Sequence, residues 1–152
     1  MGKSEYCLEG MEKHFRHNTI FVGKTTRQAI EDGRGDLTPC YFSEYPSLFR
    51  NNPPDVAFIQ VSAPDEHGYC SYGVSVDYTK PATECSKIVI AQINKNMPRT
   101  PGDAFIHVSD INYIVEADTP IIELPPAKIG EVEKKIGENC ASLINDGQQT
   151  SL

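Results

Sequence analysis

The 152-residue sequence predicts an α/β fold in which a mainly parallel sheet is flanked by helices, and three observations predict it. Val56 to Val61 is an unbroken apolar run between stretches carrying Pro and Ser, which is the pattern of a strand buried on both faces; it is read as the central strand. Ile88 to Ile93 is a second run of this kind. Between the two lies TKPATECS, where Pro81 fits the first turn of a helix and no later position, so strand, helical crossover and strand make the βαβ unit of a parallel sheet. Finally, Ile129, Val132, Ile136, Cys140 and Leu143 recur three and four residues apart among Lys and Glu, which predicts an amphipathic helix closed by Asn145-Asp146-Gly147.

The remaining elements follow in order. Cys7, Leu8, Met11 and Phe15 have helical spacing, interrupted by Gly10, a weak helix former. Thr19 to Val22 reads as a strand ended by Gly23. From Thr25 the pattern is helical, with a Thr cap, Ala29 and Ile30 inside and Gly33 as the stop. Arg34-Gly35-Asp36 spells an adhesion tripeptide and is taken as chance. Cys40 to Phe42 reads as a short strand, and SEYPSLF opens a brief helix with a Ser cap that ends at Asn51-Asn52-Pro53-Pro54. Ala104 to Val108, Tyr113 to Val115 and Ile121 to Leu124 are further strands.

Composition narrows the function classes. An apolar fraction of 39%, a charged fraction of 23% and no apolar run long enough for a bilayer or a signal peptide predict a soluble, cytoplasmic, single-domain chain. A net charge of −7 with scattered basic residues argues against nucleic acid or an anionic membrane as the main partner. Cys7, Cys40, Cys70, Cys85 and Cys140 are odd in number, far apart and without a C-x-x-C pair, which fits reduced thiols better than a disulfide framework or a metal site.

The chemistry is expected where the strands stop, because open α/β sheets bind ligands outside the carboxyl ends of their strands. Ser62, Pro64, Asp65, His67, Gly68, Cys70 and Ser71 crowd into ten residues after the first strand. Met97-Pro98-Arg99-Thr100-Pro101-Gly102 follows the second, so loops 62–73 and 94–103 are expected on one edge of the sheet. His67 and Cys70 invite a base and nucleophile reading, but nothing is placed to orient the imidazole. Asp65 and Glu66 as acid and base compete with two solvated carboxylates. His14, Arg16 and His17 fit either an anion site or a solvated approach to a strand. No G-x-G-x-x-G or phosphate-binding loop is present. Residue types alone do not name a substrate.

The wording of the loops carries more. HFRHNTIFVG, GRGDLTP, FSEYPSLF, PDVAFIQVSAPDEHGYCSYGVSVD, INKNMPRTPGD and FIHVSDINYIVEADTPIIEL together resemble the amino-terminal half of the acetyl-CoA hydrolase and CoA-transferase family, with particular likeness to its 4-hydroxybutyrate and butyrate CoA-transferases. The resemblance runs from about residue 10 to residue 147. It implies a CoA-transferase-type α/β domain, partial over residues 1–152 and truncated at both ends, since the family carries further sequence before Gly10 and continues past the last helix where this chain reads Gln148 to Leu152.

The resemblance also implies a reaction and its partners. The family attacks an acyl-CoA thioester with a glutamate carboxylate, passes through a mixed anhydride and a glutamyl-CoA thioester, and delivers CoA to a second carboxylic acid. That glutamate belongs to the carboxyl-terminal half, beyond Leu152, so no catalytic residue and no metal ligand is assigned here. The partners implied are acyl-CoA, a small carboxylic acid, the carboxyl-terminal half and further copies of the enzyme, with CoA as substrate and no separate cofactor. Ser62, Asp65, His67, Gly68 and Ser71, bordered by Met97, Pro98, Arg99 and Thr100, are the expected pocket residues. For Asp65 and His67 a turn cap and a packed histidine stay open as alternatives. The competing functions are an acetyl-CoA hydrolase of the same family and a non-catalytic assembly module.

Overall fold

The computed structural model describes residues 5–144. Contacts divide the chain into two compact units, Met1–Ile122 and Glu123–Leu152.

The first unit opens with two 3-10 turns, Glu5–Cys7 and Met11–Lys13, in place of the expected helix. Gly10 between them has φ 89°, a left-handed conformation that stops an α-helix from continuing through it. Strand β1 is His17–Thr19, helix α1 is Arg27–Glu31 and strand β2 is Gly35–Leu37, with β1 and β2 parallel and His17 opposite Gly35. Gly35 is needed for close approach, because a Cβ there would meet the His17 carbonyl and Ile30 Cδ1 at 3.0 Å each. The Arg16 guanidinium donates to both Asp36 carboxylate oxygens, at 2.8 and 2.7 Å, and Arg34 donates to the Cys7 carbonyl at 2.8 Å, so with Gly35 all three residues of the tripeptide are engaged in the fold.

Two expected strands move or vanish here. The apolar stretch after Thr19 is not strand, because Thr19 Oγ1 donates to the Phe21 carbonyl and turns the chain. Phe21 then packs with Phe42 on Tyr45, which is buried and also meets Tyr78 edge-on. Such aromatic pairs add about 0.5–1.5 kcal/mol each beyond the area they bury. Cys40 to Phe42 likewise forms no strand: a 3-10 turn at Phe42–Glu44 leads into helix α2, Tyr45–Asn51. The cap is the Glu44 carboxylate accepting from the Tyr41 N–H at 2.9 Å.

Strand β3 is Val56–Val61, strand β4 Tyr69–Ser71, helix α3 Thr79–Cys85, strand β5 Ile88–Ile93, strand β6 Phe105–His107 and strand β7 Tyr113–Glu116. The main sheet is parallel in the order β3-β5-β7, with Val56 opposite Ile88 and Ile90 opposite Tyr113. The expectation that Val56–Val61 is central is therefore corrected: among the described residues β5 is the middle strand and β3 an edge. Its two faces differ accordingly. Ile59 and Val61 join Val89, Ala91 and Ile93 in a core closed by Cys70, Tyr72, Ile106 and Ile111, whereas Phe58 on the other face is 79% exposed. Strands β4 and β6 form a separate antiparallel ribbon, Tyr69 opposite His107, so Ala104 to Val108 does not extend the main sheet. Ile121 to Leu124 forms no strand; prolines at 120, 125 and 126 remove ladder donors around it.

In the second unit helix α4 spans Glu131–Ala141. Glu133 accepts from the Gly130 N–H at 2.9 Å, and Lys134 and Lys135 pair with Glu131 and Glu138 one turn away. Val132 and Ile136 mark its apolar stripe, and both are exposed. The expected closing Asn145-Asp146-Gly147 lies outside the described residues.

Candidate functional site

The two loops that leave the carboxyl ends of β3 and β5 meet, as the spacing of the two apolar runs predicts. The first folds back on itself because Asp65 organises a tight turn. Its Oδ1 accepts from the His67 N–H at 3.0 Å and the Tyr69 N–H at 2.8 Å, and the Gly68 N–H donates to the Asp65 carbonyl at 3.0 Å. Gly68 has φ 82°, and a Cβ there would sit 2.7 Å from His107 Nε2, so both the turn and the neighbouring ring demand glycine. The bonds from the Tyr69 and His67 amides hold the Asp65 carboxyl below its ordinary range against partial burial, with the Arg99 charge helping.

Arg99 fastens the second loop onto the first. One terminal nitrogen donates to the Tyr69 carbonyl at 2.9 Å, with Ser62 Oγ and the Ala63 carbonyl at 3.4 Å each, and the other donates to Asp65 Oδ2 at 2.9 Å. The guanidinium also lies 5.2 Å from the centre of the Phe105 ring. A planar fork with several fixed donors makes this possible, where a lysine offers one point charge.

Behind the arginine the loops are sealed by serine and threonine. Ser62 Oγ accepts from the Ser71 N–H at 2.9 Å. Ser71 Oγ accepts from the Gly73 and Thr100 amides at 3.0 and 3.2 Å, and Thr100 Oγ1 donates to the Gly73 carbonyl at 3.1 Å. Ser62 and Ser71 are buried, and Met97 is buried against Gly73. His67 is the opposite case. Its side chain is 74% exposed, with Nε2 at 3.5 Å from a Glu66 carboxylate oxygen, while its backbone is held on one side by Asp65 and on the other by His107, whose Nε2 lies 3.1 Å from the His67 carbonyl.

Ser62, Asp65, Ser71, Arg99 and Thr100 are thus brought together as a latch, Met97 packs beneath it, Pro98 is exposed beside it, and His67 and Gly68 form its tip. Asp65 does cap its turn, while the packed-histidine alternative fails because His67 faces solvent. Cys70 lies in the core with its thiol pushed up by burial, so it neither meets His67 nor forms a ready thiolate.

Three groups that the residue pattern did not single out shape the same edge. Asn94, fully buried, donates to the Thr119 carbonyl at 2.8 Å and accepts from the Asn96 amide at 3.0 Å. Asp118 accepts from the Lys95 N–H at 3.0 Å and pairs with its ammonium at 3.2 Å. Between these residues and the first loop lies a cavity of about 450 Å³, whose walls include Ala63, Pro64, Ile93, Lys95, Ile114 and Asp118. An Asn immediately after an apolar strand is the one sequence signal that points to this turn.

The two loops thus converge at the carboxyl ends of the parallel strands, the place where open α/β sheets as a class bind their ligands. Residues 1–125 match the acetyl-CoA hydrolase/transferase N-terminal domain, and the chain belongs to that family. Over its whole length it is 66% identical to a 4-hydroxybutyrate coenzyme A transferase of Clostridium kluyveri, of which it covers 36%. Over 93% of the chain it is 42% identical to a succinyl-CoA:acetate/propanoyl-CoA:succinate CoA transferase of Fasciola hepatica, covering 30% of that protein. Among solved structures, a 4-hydroxybutyrate CoA-transferase from Porphyromonas gingivalis matches 90% of the chain at 42% identity with a TM-score of 0.70, over 38% of its own length. RipA from Yersinia pestis matches 90% at 31% identity with a TM-score of 0.81, over 34% of its length. The chain spans about a third of each of these relatives. No helix among the described residues is long and apolar enough to cross a membrane.

Proposed function

We propose that the chain is the amino-terminal part, a single partial domain, of a cytoplasmic acyl-CoA:carboxylate CoA-transferase of the 4-hydroxybutyrate, butyrate or acetate type. The observation that carries this reading is the 66% identity to a 4-hydroxybutyrate coenzyme A transferase along the whole chain. In this reaction a glutamate carboxylate outside the chain attacks the thioester carbonyl and expels CoA thiolate, leaving a mixed anhydride. The thiolate then attacks the glutamyl carbonyl, releasing the first acid and forming glutamyl-CoA. The acceptor carboxylate runs the two steps in reverse and leaves as its CoA ester. Splitting one difficult exchange into such steps is the benefit of covalent catalysis.

In this reading loops 62–73 and 94–103 form one wall of the acyl and carboxylate pocket. His67 and Gly68 supply the surface at the tip and Pro98 borders it. Ser62, Asp65, Ser71, Met97, Arg99 and Thr100 hold that wall in shape, which is supported by the density of hydrogen bonds among them. The carboxyl-terminal half carrying the glutamate and further copies of the enzyme complete the assembly. The test is CoA transfer from butyryl-CoA to acetate. The chain alone gives no turnover, and activity appears when a carboxyl-terminal half with the glutamate is supplied; CoA release by the chain alone at enzyme-like rates, abolished by Cys70→Ala or His67→Ala, would refute the proposal.

Two other readings have specific support. The family description covers hydrolases, and CoA release that ignores the acceptor acid would identify one. An assembly role is favoured by the apolar sheet face bearing Phe58, Tyr113 and Val115, all more than half exposed. A clean monomer in sedimentation at high concentration would remove it.

A further inference from the structure

A cavity of about 580 Å³ lies between the end of α3, the β4-β6 ribbon and the turn that follows it. Val89, the second residue of β5, and Asn112, just before β7, place it toward the amino ends of the main-sheet strands, opposite the ends that carry loops 62–73 and 94–103. We infer that Ser109 is a nucleophile activated there by His107, and that the cavity takes a small uncharged ester whose acyl group passes to the Ser109 oxygen. The site uses neither CoA nor the glutamate outside the chain, so it stands apart from the transferase reading.

The geometry is that of a hydroxyl held by a base. His107 and Ser109 both line the cavity, and Ser109 is exposed. His107 Nε2 lies 3.1 Å from the His67 carbonyl, which can only accept, so Nε2 carries the proton and Nδ1 offers a lone pair. Ser109 Oγ is 2.7 Å from Nδ1 and therefore donates to it. The other acceptor near that hydroxyl, Asp110 Oδ1, is 3.4 Å away and is the weaker partner. The Ser109 N–H also reaches Nδ1, at 3.2 Å, and the Tyr69 ring meets the imidazole edge-on with centroids 5.0 Å apart, so the base is fixed in place. Capping of the 3-10 turn at Val108–Asp110 accounts for the amide bond alone; the shorter hydroxyl bond is not needed for it. Nucleophile, base and a third group that orients the base are the parts covalent catalysis requires, and here the third group is a backbone carbonyl.

In the step itself, Ser109 Oγ attacks the ester carbonyl carbon as its proton passes to His107 Nδ1. The bond from that carbon to the alcohol oxygen breaks, and the alcohol departs with the proton, leaving an acyl-serine. Water then repeats both transfers, giving its proton through Nδ1 to the Ser109 oxygen and releasing the acid. Charge selects the substrate class. Among the described residues the charged side chains of the walls are Glu84, Lys87 and Asp110; Lys87 is paired with Asp55 at 2.7 Å and Glu84 with Lys80 at 2.6 Å, which leaves the Asp110 carboxylate as the uncompensated charge among them. Such a wall disfavours a polyphosphate such as CoA and admits an uncharged ester. Tyr72, Val89 and Phe105 supply apolar surface, and the volume falls within the range of small-ligand pockets, roughly 300–1,000 Å³.

The experiment incubates the 152-residue chain with p-nitrophenyl acetate, follows release of nitrophenolate and locates the acetyl group by peptide mass. The parent should be acetylated at Ser109, and Ser109→Ala, which removes only an exposed hydroxyl, should lose that label. His107→Asn keeps a side-chain oxygen that can accept from the Ser109 amide but is no base, and it should slow acetylation of Ser109 by about a hundredfold, the scale of a positioned general base. If that variant does not fold, the parent in urea takes its place, and Ser109 should be slowed there to the same degree. Acetylation confined to other side chains, or slowing of less than about tenfold when the imidazole is replaced or the chain unfolded, would overturn the inference. The probe carries no CoA, so neither result bears on the transferase reading.

Discussion

The two faces of the β3-β5-β7 sheet are made by alternate residues of the same strands and have opposite fates. Ile59, Val61, Val89, Ala91 and Ile93 turn inward and are buried. Phe58 and Tyr113, brought into one row by their shared partner Ile90, turn outward at 79% and 61% exposure. Side-chain direction alternates at every residue of a strand, so one apolar run supplies both faces. The difference teaches that this segment builds one complete core and displays a second apolar face of the same character.

The largest effect should come from the closed face. Ile59→Ala should cost about 2–5 kcal/mol in denaturant unfolding, the range for emptying a buried aliphatic site. Phe58→Ala, one residue away, should stay within about 0.5 kcal/mol as an exposed change does. Equal losses at the two positions would mean that the outward face is covered as well. Next is Gly73→Ala, which tests whether the loop edge belongs to the closed region. Gly73 has φ 61°, and a Cβ would crowd the Met97 side chain and lie 2.8 Å from the Pro98 carbonyl, so strain alone should cost about 1–3 kcal/mol in thermal or denaturant unfolding.

The latch sharpens the comparison at lower energy. Arg99→Lys keeps the charge but loses the fork. Amide exchange at Tyr69 and Ser71 should quicken by about fivefold, as for a lost hydrogen bond near 1 kcal/mol, while exchange in β5 stays as it was. Uniform quickening would mean that the latch and the core open together. The smallest effect is the pH dependence of that latch. Because the folded carboxyl of Asp65 is held below its ordinary value, its contribution is present above the unfolded value, about pH 4, and fades as pH falls through the lower folded value. Loop protection in the parent should decline only below about pH 4, and in Asp65→Asn that acid-dependent decline should be absent.

What the sequence made legible was whatever depended on local pattern. Val56–Val61 and Ile88–Ile93 coincide with their strands because continuous apolar runs bounded by turn residues leave few alternatives. The family was legible from the ordered loop wording. Gly35–Leu37 was missed as a strand because Gly, Asp and one Leu carry no β signal and the strand exists through its pairing with His17–Thr19. Tyr69–Ser71 was hidden in a polar stretch for the same reason, its partner Phe105–His107 lying far along the chain. The site residues were found by type, but the bond from Arg99 to the Tyr69 carbonyl joins residues thirty apart, and no local pattern announces such a contact. Phe58 was placed inside because a run of apolar residues does not say whether a second layer is present.

Among the described residues β3 and β7 are each hydrogen-bonded on one side only. Their outer rims therefore offer rows of amide and carbonyl groups, and β7, with sequence YIVE and every residue exposed, guards its rim with a single charge. Such a rim is a template onto which another strand can add, and native sheets usually blunt it with lysine, proline or a bulge. Handling of the segment by itself is thus governed by dilution and by blocking that rim. Val115→Lys would place a charge on β7 without touching the buried face, and it is the natural first change for keeping the chain dispersed.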